Sequence, residues 1–271
     1  MTALASWCGI DSHGVSSLYV VADSLISWTD GQKSFEQKVF FDSDSPQILG
    51  YCGDRHWGLT LANKLLTYAR KLDEPSTFCA TCFKWLREQR IPQTKSLSFD
   101  LEFLHCKRFP GKNFKVFVHK ITKETGEIIS REVALPEKSD KVEFLGKGRN
   151  VLFDFYFKWA SSSDADTSRA VFGAFYDFLA SHAEPSCGGP PQLLGLFREG
   201  MGKPHGVWFN GERFFLHKRV PYESNFENFE WRDATFQRVK ATDGTLEDKA
   251  QVQPIPKFKS EYRGFGKIQN G

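Results

Sequence analysis

Residues 1–24 read MTALASWCGIDSHGVSSLYVVADS, and this stretch decides the fold that the sequence predicts. Two mainly apolar runs, 3–10 and 16–22, flank the polar turn 11–14, which is the pattern of a β-hairpin. The second run ends at Asp23, and Lys38 follows fifteen residues later in another predicted strand, 37–41. Removal of Met1 would expose Thr2, which would then carry a hydroxyl nucleophile and an α-amine base in one residue. The opening of the chain therefore indicates a mechanism as well as a fold.

The composition predicts a globular protein with a large apolar core. The chain has 271 residues, 40% of them hydrophobic, and 26 are Phe. Its net charge of +3 comes from interspersed charges of both signs, which gives little support to nucleic-acid binding. No run of eighteen apolar residues and no secretory signal are present, so the sequence predicts a cytoplasmic protein that does not enter a membrane.

The hydrophobic period alternates along the chain between values typical of strands and of helices. A strand at 47–51 is followed by two helical patterns at 57–69 and 76–86, the second predicted to be capped by Ser76. Strand patterns return between 98 and 135, then helices at 151–159 and 168–182, then short strands between 192 and 217. This order predicts an α+β domain over residues 1–221. The charge-rich segment 222–271 is predicted to be a C-terminal extension, partly docked and partly flexible.

The six cysteines are expected to be reduced, because the chain does not have the features of a secreted protein. Cys79 and Cys82 form an isolated Cys-x-x-Cys motif within a helical apolar pattern. No second Cys pair or His pair in the sequence completes a zinc motif, so the interpretation is core packing, with redox or metal chemistry as the alternative.

Five short segments carry a resemblance to a known family. They are Thr2; Val20-Val21-Ala22-Asp23-Ser24; Lys38 followed by Val39; Gly50-Tyr51-Cys52-Gly53-Asp54; and Glu184-Pro185-Ser186-Cys187-Gly188-Gly189. With the order of elements, they resemble the proteasome β-subunits and their bacterial relative HslV, which are N-terminal nucleophile hydrolases. The resemblance runs from Thr2 to about Arg219, and it implies a four-layer αββα sandwich.

The resemblance also implies a role for each matched residue. Thr2 would be the nucleophile, and Lys38 would supply a positive charge that favours the neutral form of its amine. Asp23 would keep Lys38 charged and oriented. The Gly53 amide would stabilise the oxyanion, and Tyr51 would line a shallow substrate pocket.

The sequence departs from the family pattern mainly in the residues around this core. The separation of Thr2 and Asp23 is about five residues longer than is usual in the family. Where the family has a Gly-Ser-Gly segment, this chain has Lys147 between two glycines, and Glu184 and Cys187 replace an Asp and a Ser. Lys147 is a possible second positive charge, with Glu184 as its counter-charge, whereas Cys187 is interpreted as a small packing residue.

The function implied is that of a threonine-type peptidase, matured by loss of Met1, which cleaves proteins or peptides without a metal or organic cofactor. The family resemblance further implies a homo-oligomeric ring and a separate unfolding ATPase as partner. Three alternatives stay open: a catalytically inactive scaffold or binding subunit, a small-molecule amidase of the same fold, and Cys8 as the nucleophile after cleavage of a seven-residue propeptide. No Gly-x-Ser-x-Gly motif is present.

Overall fold

A computed structural model describes residues 2–27, 32–89 and 97–259. The predicted removal of Met1 and the last twelve residues of the predicted extension, 260–271, lie outside the described residues. The strands are β1 (Ala3–Asp11), β2 (Gly14–Ala22), β3 (Leu25–Ser27), β4 (Lys33–Phe35), β5 (Val39–Phe41), β6 (Gln47–Gly53), β7 (Leu101–Phe109), β8 (Asn113–Ile121), β9 (Ile128–Val133), β10 (Asp140–Gly146), β11 (Gln192–Phe197), β12 (Lys203–Phe209), β13 (Glu212–Phe215), β14 (Lys218–Arg219), β15 (Trp231–Arg232) and β16 (Arg238–Val239). The helices are α1 (Arg55–Ala69), α2 (Pro75–Glu88), α3 (Arg149–Ala160) and α4 (Ser168–Ser181).

The strands form two main sheets and a separate hairpin. In the larger sheet the order is β10-β1-β2-β11-β12-β13-β14, with β15 parallel to β12 and β16 antiparallel to β15. The second sheet has the order β5-β6-β7-β8-β9, and β3 pairs only with β4 among the described residues. The predicted β1–β2 hairpin is confirmed, with Leu4 opposite Ala22 and Cys8 opposite Leu18. The predicted order of strand and helix blocks is therefore observed, and the fold is mixed α+β.

The local corrections to the sequence reading are small and have physical causes. The predicted strand 37–41 begins only at Val39, and the hairpin β3–β4 before it was not predicted. Helix α2 is capped by Glu74 rather than Ser76, and the Glu74 side chain accepts a hydrogen bond from the Ser76 amide. Pro75 causes this shift, because its fixed φ and missing N–H suit the first helical position.

Three apolar clusters connect these elements. One contains side chains from β1, β2 and helices α3 and α4, including Trp7, Phe172 and Phe175. Another contains side chains from β6, β7 and β8 together with α1 and α2. A third contains buried side chains from both sheets, such as Leu4 and Val20 from one and Ile48 from the other. Many of the described Phe residues are buried in these clusters, and Phe103, Phe117, Phe172 and Phe175 are completely inaccessible to solvent.

Part of the C-terminal segment packs on this body. Phe236 lies 5.7 Å from the ring of Trp7 and 5.2 Å from that of Tyr19, as measured between ring centroids. Arg213, on β13, donates hydrogen bonds to the carbonyls of Ala241 and Pro221. Phe236 and Ala241 therefore contact the body of the protein, whereas the division of the chain into a domain and an extension at residue 221 stays a prediction. None of the helices in the described ranges is both long and apolar enough to span a bilayer.

Candidate active site

A buried ion pair lies at the centre of the site. Lys38 Nζ donates a hydrogen bond to Asp23 Oδ1 at 2.9 Å, and both side chains are completely inaccessible to solvent. Lys38 Nζ also donates to the Leu25 carbonyl at 2.7 Å. Burial raises the pKa of the Asp23 carboxyl, and the Lys38 ammonium with two backbone amides opposes that rise. The sequence-predicted pair is therefore in direct contact.

Thr2 directly precedes Ala3, whose backbone is hydrogen-bonded to Asp23 of this pair. The amide of Ala3 donates to Asp23 Oδ1 at 3.0 Å, and the Asp23 amide donates back to the Ala3 carbonyl at 3.1 Å. Gly146, at the end of β10, pairs with Ala3 and has φ +83°; a Cβ there would lie 2.1 Å from the Thr2 carbonyl oxygen. Thr2 itself is 2% exposed. The start of β1 is therefore held in place by Asp23 on one side and by β10 on the other.

Gly53 ends β6 in a conformation that only glycine adopts without strain. Its φ is +101°, and a Cβ would lie 1.6 Å from the Asp100 carbonyl oxygen. Two residues earlier, the Tyr51 amide donates to the Lys38 carbonyl at 3.0 Å. Backbone amides two residues apart in a strand point to the same edge, so the Gly53 N–H points toward the edge where Lys38 lies.

The Tyr51 side chain lies among the residues that pack beneath helix α1. It is 1% exposed, and its ring is so close to Gly58 that a Cβ there would lie 2.1 Å from it. Burial raises the pKa of the Tyr51 hydroxyl, with Glu36 adding to the effect. Glu36 itself forms an ion pair with Arg55, whose Nη2 lies 2.6 Å from Glu36 Oε1. The pocket-lining role of Tyr51 stays a prediction.

The three residues of the predicted supporting shell differ in their surroundings. Lys147 is exposed, and its charge contributes to lowering the pKa of Glu184, after the larger effect of the hydrogen bond from Ser186. Glu184 Oε1 accepts from the Ser186 hydroxyl at 2.6 Å and from its amide at 3.1 Å. Cys187 is 4% exposed, and burial raises the pKa of its thiol to about 12. Cys187 is therefore a buried, protonated thiol close to Gly188, and its role in the site stays a prediction.

Gln192 organises the site and was missed by the sequence analysis. Its side-chain amide is buried: Oε1 accepts from the Lys38 amide at 2.9 Å, and Nε2 donates to the carbonyls of Glu36 at 2.7 Å and Asp23 at 3.2 Å. The only available signal was a lone amide at the start of the apolar run 192–197. Gln192 fixes the backbone on both sides of the ion pair.

Residue Gly188 links the ion pair to a neighbouring cavity. Its amide donates to Asp23 Oδ2 at 3.1 Å, and its carbonyl accepts from the amides of Ser24 and Leu25. The cavity, of about 620 Å³, is lined by Leu25, Phe35, His182, Cys187 and Gly188, among others. Its volume is within the usual range for ligand-binding cavities.

The alternative nucleophile, Cys8, lies in a different environment. It is fully buried in the middle of β1, opposite Leu18 and Asp140. It is five residues beyond Ala3, which bonds to Asp23, and at about 3.4 Å per residue this is about 17 Å along the strand. The structure brings Thr2, Asp23 and Lys38 together and leaves Cys8 apart from them.

Comparison with known proteins identifies the fold. No family model and no curated protein matches the sequence. Among solved structures, the chain matches Anbu (ancestral beta-subunit) from Yersinia bercovieri with a TM-score of 0.52 and 11% identity, over 75% of this chain and 86% of that one. Anbu from Hyphomicrobium sp. strain MC1 matches with a TM-score of 0.49 and 12% identity, over 74% of this chain and 86% of that one. The match to the Yersinia bercovieri structure shows that three quarters of the chain has the fold of that ancestral beta-subunit, as the sequence resemblance to proteasome β-subunits predicted.

Proposed function

We propose that this protein is a threonine-type peptidase in which Thr2, exposed by removal of Met1, is the nucleophile. The observation that carries the proposal is the buried hydrogen bond from Lys38 to Asp23 Oδ1. The same oxygen also accepts a hydrogen bond from the amide of Ala3, which directly follows Thr2. A fully buried lysine and aspartate are costly to maintain, since each ion loses its hydration. Their position beside the start of the chain supports a catalytic use.

The proposed reaction proceeds by acyl transfer. The Thr2 hydroxyl attacks the scissile carbonyl while the α-amine accepts its proton, and the amine then gives this proton to the leaving group. The resulting ester on Thr2 is hydrolysed by water. The Lys38 charge favours the neutral amine, and the Gly53 N–H stabilises the oxyanion, an effect on the order of 10²–10³ in rate for one donor.

The architecture proposed for the whole chain follows from the same resemblance. The cluster between the two sheets and the two clusters beneath the helices support a four-layer αββα order over residues 1–221. Residues 222–271 then form an extension of that domain. A homo-oligomeric ring is proposed from the same resemblance. A cytoplasmic location, a protein or peptide substrate and a separate unfolding ATPase complete the proposal.

The test is intact-mass spectrometry before and after treatment with a peptide epoxyketone, which condenses with both the amine and the hydroxyl of an N-terminal threonine. The expected result is a protein that lacks Met1 and gains one reagent mass. Thr2→Ala is expected to abolish the labelling, whereas Thr60→Ala, a substitution of a half-buried threonine on α1, leaves it unchanged. A protein that retains Met1, or that is not labelled, would refute the proposal.

Two other functions are favoured by particular observations. The Glu184 carboxylate is engaged by Ser186, and Lys147 replaces the serine of the family pattern, which favours an inactive scaffold. The cavity beside Gly188 has a volume suited to a small ligand, which favours an amidase of small molecules. Absence of labelling would support the scaffold, and a monomer in size-exclusion chromatography that hydrolyses small amides but not peptides would support the amidase.

A further inference from the structure

Three side chains with metal-binding atoms meet beneath helix α2. Cys82 is on that helix, and His105 and His119 are on the adjacent strands β7 and β8. Because His105 pairs with Phe117 and His119 with Phe103, the two histidines are diagonal neighbours on one face of the sheet. All three residues are completely buried, and one ligand atom from each lies within 4.8 Å of the other two.

The hydrogen bonds of Gln47 determine which nitrogen of His105 is free. Gln47 Nε2 donates to Asp42 Oδ2 at 2.9 Å and to the Leu66 carbonyl at 2.8 Å, so Gln47 Oε1 is the acceptor facing His105. His105 Nε2 therefore carries the proton of the neutral ring, and Nδ1 carries a lone pair. This buried Nδ1 has no hydrogen-bond partner among the described residues.

His119 also has one hydrogen-bonded ring nitrogen and one without a partner among the described residues, but the two nitrogens are exchanged relative to His105. Its Nδ1 is hydrogen-bonded to Ser130 Oγ at 2.8 Å, and its Nε2 is buried without a partner in the described part of the chain. An unsatisfied buried polar atom costs on the order of 1–3 kcal/mol. A histidine that ligates a metal typically uses one ring nitrogen for the metal and hydrogen-bonds the other. Both rings have this pattern.

We propose that Cys82, His105 and His119 form a binding site for one copper(I) ion. One thiolate balances one monovalent ion, so the complex with two neutral imidazoles has no net charge in its apolar surroundings. A zinc(II) ion would leave a net positive charge close to Lys107, and structural zinc sites almost always have four ligands. Among the described residues this cluster offers three ligand atoms, one fewer than a structural zinc site has. Thiolate and imidazole ligands suit copper(I).

Binding is coupled to loss of one proton. Cysteine ligates a metal ion as the thiolate, so the proton on Sγ of Cys82 leaves when an ion binds. Copper(I) replaces this proton on Sγ, and one proton is released for each ion bound. Lys107, whose Nζ donates to the Ala69 carbonyl at 2.7 Å, adds a positive charge that favours the thiolate.

The copper site does not depend on the proposed hydrolysis. Cys82 belongs to the apolar cluster on the helix-covered face of the second sheet, whereas Leu4 and Val20, close to Thr2 and Asp23, belong to the cluster between the sheets. Failure of the labelling experiment at Thr2 would therefore leave the copper proposal intact, and the reverse also holds.

The test is anaerobic transfer of copper(I) from its bicinchoninate complex to the purified full-length protein, continued until the amount of copper bound per chain is constant. The measurement is repeated on protein produced in copper-supplemented culture. One equivalent per chain is expected for the wild type. Cys106→Ala is the matched control, because Cys106 is an equally buried cysteine next to His105 but lies in the cluster between the sheets. This control is expected to bind one equivalent as well.

Cys82→Ala and His119→Phe are expected to weaken binding at least 100-fold, and circular dichroism verifies that each variant is folded. His119→Phe keeps the ring volume, so it serves if Cys82→Ala does not fold. X-ray absorption at the copper edge of the loaded wild type is expected to show one sulfur and two nitrogen ligands. Less than 0.1 equivalent in both wild-type preparations, or equal binding by the wild type and His119→Phe, would overturn the proposal.

Discussion

Lys38→Met tests the central ion pair, because methionine keeps most of the side-chain volume and removes the charge. At the observed 2.9 Å, two unit charges attract by about 6 kcal/mol at an effective dielectric constant of about 20. Part of this attraction is lost to the desolvation of both ions, so the net cost of leaving Asp23 alone is expected to be about 3–5 kcal/mol. The Leu25 carbonyl also loses its donor.

The double variant Asp23→Asn/Lys38→Met separates the effect of the buried charge on the free energy of unfolding from the effect of changed side-chain shape. An asparagine can accept from only one of the two amides, of Ala3 and Gly188, that donate to the two Asp23 oxygens. A residual cost of about 1–3 kcal/mol is therefore expected for the unsatisfied donor. The double variant is expected to be more stable than Lys38→Met alone, as measured by urea unfolding followed by tryptophan fluorescence.

The pH dependence of the stability cost of Lys38→Met tests whether the unpaired Asp23 charge causes that cost. Burial raises the pKa of Asp23 in the folded state above the value of about 3.9 in the unfolded chain. Without Lys38 the folded pKa of Asp23 rises further, so the cost of Lys38→Met relative to the wild type grows as pH rises above the wild-type folded pKa and levels off at the higher pKa of the variant. A cost below 1 kcal/mol at pH 7, or one that does not change between pH 4 and pH 7, would refute this account of the pair.

Three further outcomes are expected. Gly53→Ala places a Cβ against the Asp100 carbonyl and is expected to cost about 3 kcal/mol or more in urea unfolding, whereas Gly111→Ala, also at positive φ but with open space around it, costs about 1 kcal/mol. His205 is buried, which lowers its pKa to about 3. Because the unfolded chain binds a proton at this histidine below about pH 6.5, the free energy of unfolding falls as pH falls from about 6.5 towards 3. His205→Phe is expected to reduce the slope of the unfolding free energy against pH by up to about 1.4 kcal/mol per pH unit. Arg213→Met removes the hydrogen bonds to the carbonyls of Pro221 and Ala241, of which only Ala241 lies in the C-terminal segment. It is expected to destabilise the fold by about 2–4 kcal/mol and to accelerate proteolysis within residues 222–259. An unchanged digestion pattern would contradict the anchoring role.

The parts of the fold that sequence reasoning found are those set by local patterns. The β1–β2 hairpin follows from two apolar runs around a polar turn, and the helices follow from a change of period near Trp57 and again near Val151. Asp23 and Lys38 were identified because the short segments that contain them resemble segments of the proteasome β-subunit family. The sequence could therefore predict the pair before any contact was known.

The parts that were missed depend on contacts between distant residues. Gln192 reaches Lys38 across 154 positions, and a single amide in an apolar run does not indicate which groups it will bind. His105 and His119 approach Cys82 only because β7 and β8 are in a particular register beneath α2, and a shift by one residue would turn a histidine to the other face. The hairpin β3–β4 has strands of three residues, which are too short for a periodic pattern.

The bond from the Gly188 amide to Asp23 joins positions 165 residues apart, and it affects when the site is completed during synthesis. The segments that contain Thr2, Asp23 and Lys38 leave the ribosome early, but one of the two carboxylate oxygens acquires its backbone donor only after more than two thirds of the chain has been made. A nascent chain therefore has the proposed nucleophile before it has all the backbone donors of Asp23. If Thr2 is the nucleophile, the site is complete only after residue 188 has been made and has folded against Asp23.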